Sequence, residues 1–155
     1  MENIVIRKAI KADLDTLLDF EQGIMNTERP FDVTLKRTHT HYYDIASMIS
    51  DPDAYIAVAL MDNHLIASGY AIIKNAKAYV QHSQYAYLGF MYVVPEYRGR
   101  GINAKIVSAL TEWSKSRNIH EIRLEVYVKN ESAITAYEKM GFEKHMMEMR
   151  FSRLI

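Results

Sequence analysis

The chain has no cysteine among its 155 residues. That excludes disulfides, thiolate zinc sites and a cysteine nucleophile on the protein itself. It has no excess charge, since nineteen Lys and Arg balance nineteen Asp and Glu. A neutral chain argues against non-specific nucleic-acid or anionic-membrane binding as its main task. No apolar run approaches membrane-spanning length, and Met1-Glu2-Asn3-Ile4 is not a charged region leading into an apolar core. The expected location is therefore the cytoplasm. Repeats, low-complexity tracts and Pro/Gly/Ser linkers are missing too, so the expectation is one domain over 1–155. Apolar residues make up 49% and charged residues 25%, the ordinary balance of a globular chain with a real core.

What is present is a pattern of alternating strands and helices. Ile4 to Ala9 alternates as an edge strand. Asp13 is placed to cap a helix whose Leu14, Leu17, Leu18 and Phe20 face inward, and Gly23 to Asp32 breaks that pattern. Thr34 to Ser50 has helical tendency. Ala54 to Met61 and Leu65 to Ile73 flank Asp62-Asn63-His64 as a hairpin. Tyr79 to Val94 reads as a long strand region, interrupted near 81–84. Ile102, Ile106, Leu110 and Trp113 share a helix face. Ile122, Leu124, Val126 and Val128 alternate with Arg123, Glu125 and Tyr127 as a strand. Asn130 to Met140 is a helix stopped at Gly141, and Phe142 to Phe151 is a final strand. The order is that of a mixed α/β domain, with a parallel crossover from residue 85 through the 101–117 helix to 122–128.

The most informative stretch joins two of these elements: Val93-Val94-Pro95-Glu96-Tyr97-Arg98-Gly99-Arg100-Gly101-Ile102. A strand ends at proline, two glycines follow between arginines, and a helix begins. A helix N-terminus offers unpaired N–H groups and the positive end of a dipole. Glycines let the backbone come close to an anion, and arginine adds charge-assisted hydrogen bonds. The combination reads as a pyrophosphate cradle. It is not the nucleotide-triphosphate loop, which needs Gly-Lys-Ser/Thr where this chain has Gly101-Ile102-Asn103. Nor is it the dinucleotide fingerprint, since Asn103 and Ala104 stand in place of a third glycine, and the next strand ends Lys129-Asn130 without an acid. A plain strand-to-helix bend is the competing reading.

A second cluster, Asn130-x-x-Ala133-x-x-x-Tyr137-x-x-x-Gly141-Phe142, follows at a defined separation. The pair of motifs strongly resembles the GNAT superfamily of acyl-CoA-dependent N-acetyltransferases, over about residues 85–145. The resemblance implies a GNAT-like α/β (α+β) fold. Its central mixed, twisted sheet has six to seven strands, splayed between the fourth and fifth, with about four helices. It also implies acetyl-CoA as co-substrate, with no metal, and an unidentified amine as the other partner. The phosphate turn maps to Arg98, Gly99, Arg100, Gly101, Ile102, Asn103 and Ala104. Arg98 and Gly101 match the family's Arg/Gln-x-x-Gly-x-Gly/Ala pattern, while Asn103 departs from its small final residue. Met91, Tyr92 and Val93 take the place of the strand that pairs with the pantetheine arm. Asn130 corresponds to an asparagine contacting that arm, and is equally a helix N-cap. Tyr137 corresponds to the phenol that protonates the departing thiolate, and also lies on a packing stripe with Ala133 and Met140.

The base is less defined. Where many relatives carry an acid in the fourth strand, this chain has Gly89-Phe90. Glu125 matches a base glutamate of the ribosomal-protein N-terminal alanine acetyltransferases, and is equally a surface carboxylate paired with Arg123. Tyr85, Tyr87, His82 and Glu21 acting through water are further candidates. Residues 20–43 would wall the acceptor site, with Glu21, Glu28 and Asp32 facing an ammonium and Phe31, Tyr42 and Tyr43 an apolar group; solvated charge and packing account for them as well. His39-Thr40-His41 lacks a third ligand and the right spacing for a metal. Met146, Met147 and Met149 are read as packing in the last strand. The implied activity is transfer of an acetyl group to a primary amine by direct attack on the thioester. A non-catalytic acyl-CoA-binding sensor and a ligand-free structural domain are the alternatives. A homodimer is left open.

Overall fold

The computed structural model describes residues 3–153, so two residues at each end of the expected 1–155 unit lie outside the description. The chain runs β1 (Val5–Lys8), α1 (Leu14–Glu28), α2 (Ile45–Ser50), β2 (Ala54–Met61), β3 (His64–Asn75), β4 (Gln84–Val93), α3 (Ile102–Ser116), β5 (Ile122–Leu124) and α4 (Glu131–Lys139). The five strands form one mixed sheet in sequence order, antiparallel from β1 to β4 and parallel between β4 and β5. The expected mixed α/β class and four helices are present. The expected six to seven strands are five among the described residues, because residues 142–151 form no strand.

Helices cover both faces. On one side α3 buries Ile102, Ile106, Val107 and Leu110 against Ala57, Ala59, Ala67 and Leu88. On the other, α1 and α2 bury Leu17, Phe20, Ile24 and Ile45 against Ile56, Val58, Tyr70 and Phe90. Strands covered on both faces read as near-continuous apolar runs, which is the composition of β2 and β3.

Three local expectations are corrected. Helix α1 does not break at Gly23 but continues to Glu28. Glycine is required there by the neighbouring strand, since a Cβ would stand 2.6 Å from the Tyr92 ring. Asp13 precedes α1 without capping it by its side chain. Its carboxylate instead holds Arg7 at 2.7 and 3.0 Å and the Ile10 amide at 2.8 Å, and the Arg7 hydrogen bond foremost lowers its pKa. Of Thr34 to Ser50, only Ile45–Ser50 is helical, capped by Asp44 through the Ser47 amide.

Strand β4 carries a bulge. Its register with β3 shifts between Ser68 and Tyr70, and Phe90 adopts a positive φ of 58°. The Ser68 hydroxyl donates to the Phe90 carbonyl, satisfying the displaced group. Immediately before the bulge the parallel pairing ends: Ala86, Tyr87 and Leu88 face Ile122, Arg123 and Leu124, and β4 continues to Val93 paired only with β3. A bulge twists and bends its strand, and here it coincides with the parting of the two parallel strands.

Candidate functional site

The Gly/Arg turn has the form its sequence suggests. Pro95–Tyr97 makes a single tight turn, and α3 begins at Ile102 with Gly101 as its N-cap. Gly99 and Gly101 both have φ of 74°, in the left-handed region where a side chain is strained. Apart from the adjoining backbone, no atom lies within 4 Å of where a Cβ would stand on either glycine. The backbone face is thus bare, with no acidic residue in the first turn of α3 and no side-chain cap using its amides. An anion can meet these N–H groups directly, and coenzyme A's pyrophosphate has the charge and shape for such a face.

The arginines are less free than their sequence positions suggest. Arg98 donates from Nε to the Val93 carbonyl at 2.9 Å and lies over the Tyr92 ring, so it fastens the turn to the end of β4. Arg100 lies over the ring of Tyr97.

Met91, Tyr92 and Val93 occupy the part of β4 that has left β5. Their pairing on the other side, Tyr92 with Ser68 and Val93 with Ala67, remains. The edge facing the gap is therefore available to an extended, amide-bearing chain. Asn130 caps α4: its Oδ1 accepts from the Ala133 amide at 3.3 Å.

Tyr137 sits on α4 against the α3 core cluster, its ring edge-to-face with Phe142 at 5.8 Å. Burial pushes its phenol above the ordinary value; a hydrogen bond with the Asn103 side chain works against this, and the charge of Glu28 adds to the rise. The Oδ1 of the same side chain is buried without a partner. Asn103, the departure from the family's small residue, thus points from the cradle helix toward Tyr137. The phosphate turn and the proton-donor candidate are joined by one side chain.

The acidic position missing at 89 has a physical cause. A Cβ on Gly89 would fall 2.5 Å from Tyr70 Cζ and 2.6 Å from its hydroxyl. The Tyr70 phenol fills the space a side chain at 89 would need. Burial raises its pKa to about 12, with Glu125 adding to the effect. Tyr87 is raised as well, by burial first, then by the Glu125 charge and a hydrogen bond to that carboxylate. Glu125 itself is exposed, just beyond β5. It is not the partner of Arg123, which bonds Glu121 at 3.0 Å and lies over Tyr85. His82 is a neighbour of Arg123 at 3.4 Å rather than of Glu125.

The 20–43 region divides into two kinds of residue. Glu21, with no exposed side-chain surface, accepts from His41 Nδ1 at 2.6 Å and from the Tyr42 and Tyr43 amides at 2.9 Å each. It stitches the loop to α1 and is not placed to receive substrate. Glu21→Leu strands two partly buried amides and should cost about 3 kcal/mol. For a chain this size that is a fall in Tm of roughly 6–12 °C in a thermal melt; an unchanged Tm would contradict the stitching role. Glu28 differs: it accepts the Tyr42 hydroxyl at 2.8 Å, and burial raises its pKa, with the Asp32 charge adding to the rise. Its charge is felt at Tyr42, Tyr43, Tyr127 and Tyr137. Phe31 stacks on Tyr127 at 6.0 Å, which closes the loop over the end of β5. His39 and His41 meet edge-to-face, and among the described residues no group of three metal-ligating side chains is assembled. No helix among them is long and apolar enough to cross a membrane.

Sequence reasoning missed Tyr70, the Phe90 bulge and the Asn103–Tyr137 contact. Gly89 was the available signal for the first, as a glycine inside a strand marks close approach by another group.

Comparison with known proteins agrees with this geometry. The family model described as "Acetyltransferase (GNAT) family" matches residues 21–142. N-alpha-acetyltransferase 30 of Schizosaccharomyces pombe is 38% identical over 65 residues, 42% of this chain and 43% of that protein. The match therefore spans less than half of that relative's length. An uncharacterized N-acetyltransferase of Methanocaldococcus jannaschii is 26% identical over all of this chain and 67% of its own. A predicted acetyltransferase from Clostridium acetobutylicum, solved with acetyl-CoA, superposes with a TM-score of 0.72 at 20% identity, covering 98% of this chain and 97% of its own. That likeness is one of fold.

Proposed function

The chain belongs to the GNAT acetyltransferase family, and on that premise we propose that it moves an acetyl group from acetyl-CoA to a primary amine by direct attack on the thioester, as a single domain. The observation carrying this reading is the bare backbone face of Gly99 and Gly101 at the start of α3, opening beside the unpaired length of β4. Residues 98–104 would hold the pyrophosphate, and Met91 to Val93 the pantetheine arm, with Asn130 at its flank. Acetyl-CoA supplies the activated acyl carbon; the remaining tasks fall to the chain.

A backbone N–H in the free stretch of β4 offers a donor to the charge developing on the acyl oxygen. The amine nitrogen forms its bond to the acyl carbon as the carbon–sulfur bond breaks. The sulfur takes the Tyr137 proton, and burial keeps that phenol protonated at neutral pH. The proton lost by the amine goes to Glu125, with the Tyr87 and Tyr70 phenols as the route between, since both sense its charge. Glu28 and Tyr42 border the acceptor side and favour a cationic substrate.

Glu125→Gln should lower kcat about 100-fold, the size of a lost general base, with coenzyme affinity little changed. An unchanged kcat would take Glu125 out of the proton path. Coenzyme release measured over a panel of amines tests the activity itself. Turnover with one class of amine supports it, and tight coenzyme binding with no turnover on any of them would make the chain a sensor.

A further inference from the structure

The gap that opens beside β4 is closed at one end. The parallel pairing of β4 with β5 stops at Leu88 opposite Leu124, and the next residue along β4 is Gly89. An extended arm that enters from residues 98–104 and lies along Val93 before Met91 therefore travels toward Gly89. It ends where the two strands rejoin. The room for whatever the arm carries at its tip is set by the groups around residues 88–90.

Tyr70 of β3 is the side chain that stands over this point. A Cβ on Gly89 would fall 2.5 Å from its Cζ, 2.6 Å from its hydroxyl and 3.0 Å from its Cε1. The phenol therefore rests on the β4 backbone itself, the close approach that a glycine inside a strand permits. The ring is only 4% exposed and is held from more than one direction. Tyr43 meets it edge-to-face with centroids 5.2 Å apart, and the same Tyr43 packs on Phe90 at 5.4 Å. Tyr43 is in turn fixed through its amide to Glu21 at 2.9 Å. Tyr87 adds a further ring at 6.3 Å. Glu125, just past the end of β5, is near enough for its charge to act on the phenol. A ring packed in this way does not yield a methylene's width without cost, because its neighbours are themselves close-packed.

Resting on the coenzyme reading above, we propose that Tyr70 is the end wall of the acyl pocket: its phenol, seated over Gly89, admits an acetyl group and rejects longer acyl chains. The space that a side chain at 89 would need is the space that a longer chain would need. The wall does not grip the coenzyme, whose pyrophosphate and arm lie on residues 98–104 and 91–93. It acts on the acyl tip alone, so its effect is a preference among donors. One extra methylene in a fitted apolar pocket changes such a preference by about 10- to 200-fold.

The test titrates the full chain with acetyl-, propionyl- and butyryl-CoA by calorimetry, and compares kcat/KM for the same donors with one reactive amine. The parent should bind butyryl-CoA at least about 10-fold more weakly than acetyl-CoA. Tyr70→Leu withdraws the outer half of the ring and should bring the two affinities within about threefold of each other. Loss of the phenol as a proton carrier slows every donor alike, so the ratio of kcat/KM between donors reads the wall by itself. Should the leucine variant fail to fold, Tyr70→Phe keeps the ring contacts with Tyr43 and Tyr87 and removes only the hydroxyl. It should raise the affinity for propionyl-CoA relative to acetyl-CoA by about 10-fold. Equal affinities in the parent, or a donor preference unchanged in the folded variant, overturn the wall while leaving the coenzyme reading in place. A parent that binds none of the three donors overturns the coenzyme reading, and this inference with it.

Discussion

Gly101→Val abolishes coenzyme A binding in calorimetric titration, with a loss of at least about 100-fold in affinity, equivalent to roughly 2.7 kcal/mol. Two effects act together. Valine at a φ of 74° is strained by about 1–3 kcal/mol, so the chain moves the turn to relieve it. Its branched side chain also enters the space that glycine leaves bare over the first amides of α3. The packing of α3 is elsewhere, on Ile102, Ile106 and Leu110, so the fold should survive. Circular dichroism checks this independently. A well-folded variant that binds coenzyme A with unchanged affinity would remove the cradle, and with it the function proposed for the chain.

Tyr137→Phe lowers kcat by about 100- to 1,000-fold while leaving coenzyme affinity within a few-fold of the parent, the pattern of a group acting only as the leaving sulfur departs. Phenylalanine preserves the contact with Phe142 and the core, so the change isolates the hydroxyl. The pH profile supplies a second readout. The protonated phenol is the active form, and burial raises its pKa. Activity should therefore persist to higher pH than an ordinary tyrosine allows, and fall only as that raised pKa is passed. The phenylalanine variant loses this descending limb. Turnover at the parent rate would reduce Tyr137 to a packing residue.

The two motifs that carry the family were legible because each is local. The turn at 98–104 is a strand end, a pair of glycines and a helix start, all encoded within about a dozen consecutive residues, and the structure builds it with Gly101 in the left-handed conformation that glycine readily adopts. The amphipathic stripe of α3 and the cap and stop of α4 at Asn130 and Gly141 were readable for the same reason. Errors fell where distant residues decide. Gly23 looked like a helix break and is a helical residue making room for Tyr92, sixty-nine positions away. Glu21 looked like solvated helix charge and is instead a buried tie to the 41–43 backbone. The alternation from 122 to 128 promised a long strand, yet pairing stops at Leu124, where β4 bulges at Gly89–Phe90 and the two strands part.

The amino-acid sequence by itself determined the mixed α/β class, the glycine turn that opens α3 and the family, since these depend on periodicity and on neighbours along the chain. Only the tertiary structure decided which side chains crowd the site around β4. It placed the Tyr70 phenol over Gly89, turned Asn103 toward Tyr137 and left residues 143–151 off their own sheet. The reason is physical: a side chain's space and hydrogen-bond partners are set by whichever residues the fold carries to it, and no spacing along the chain records them.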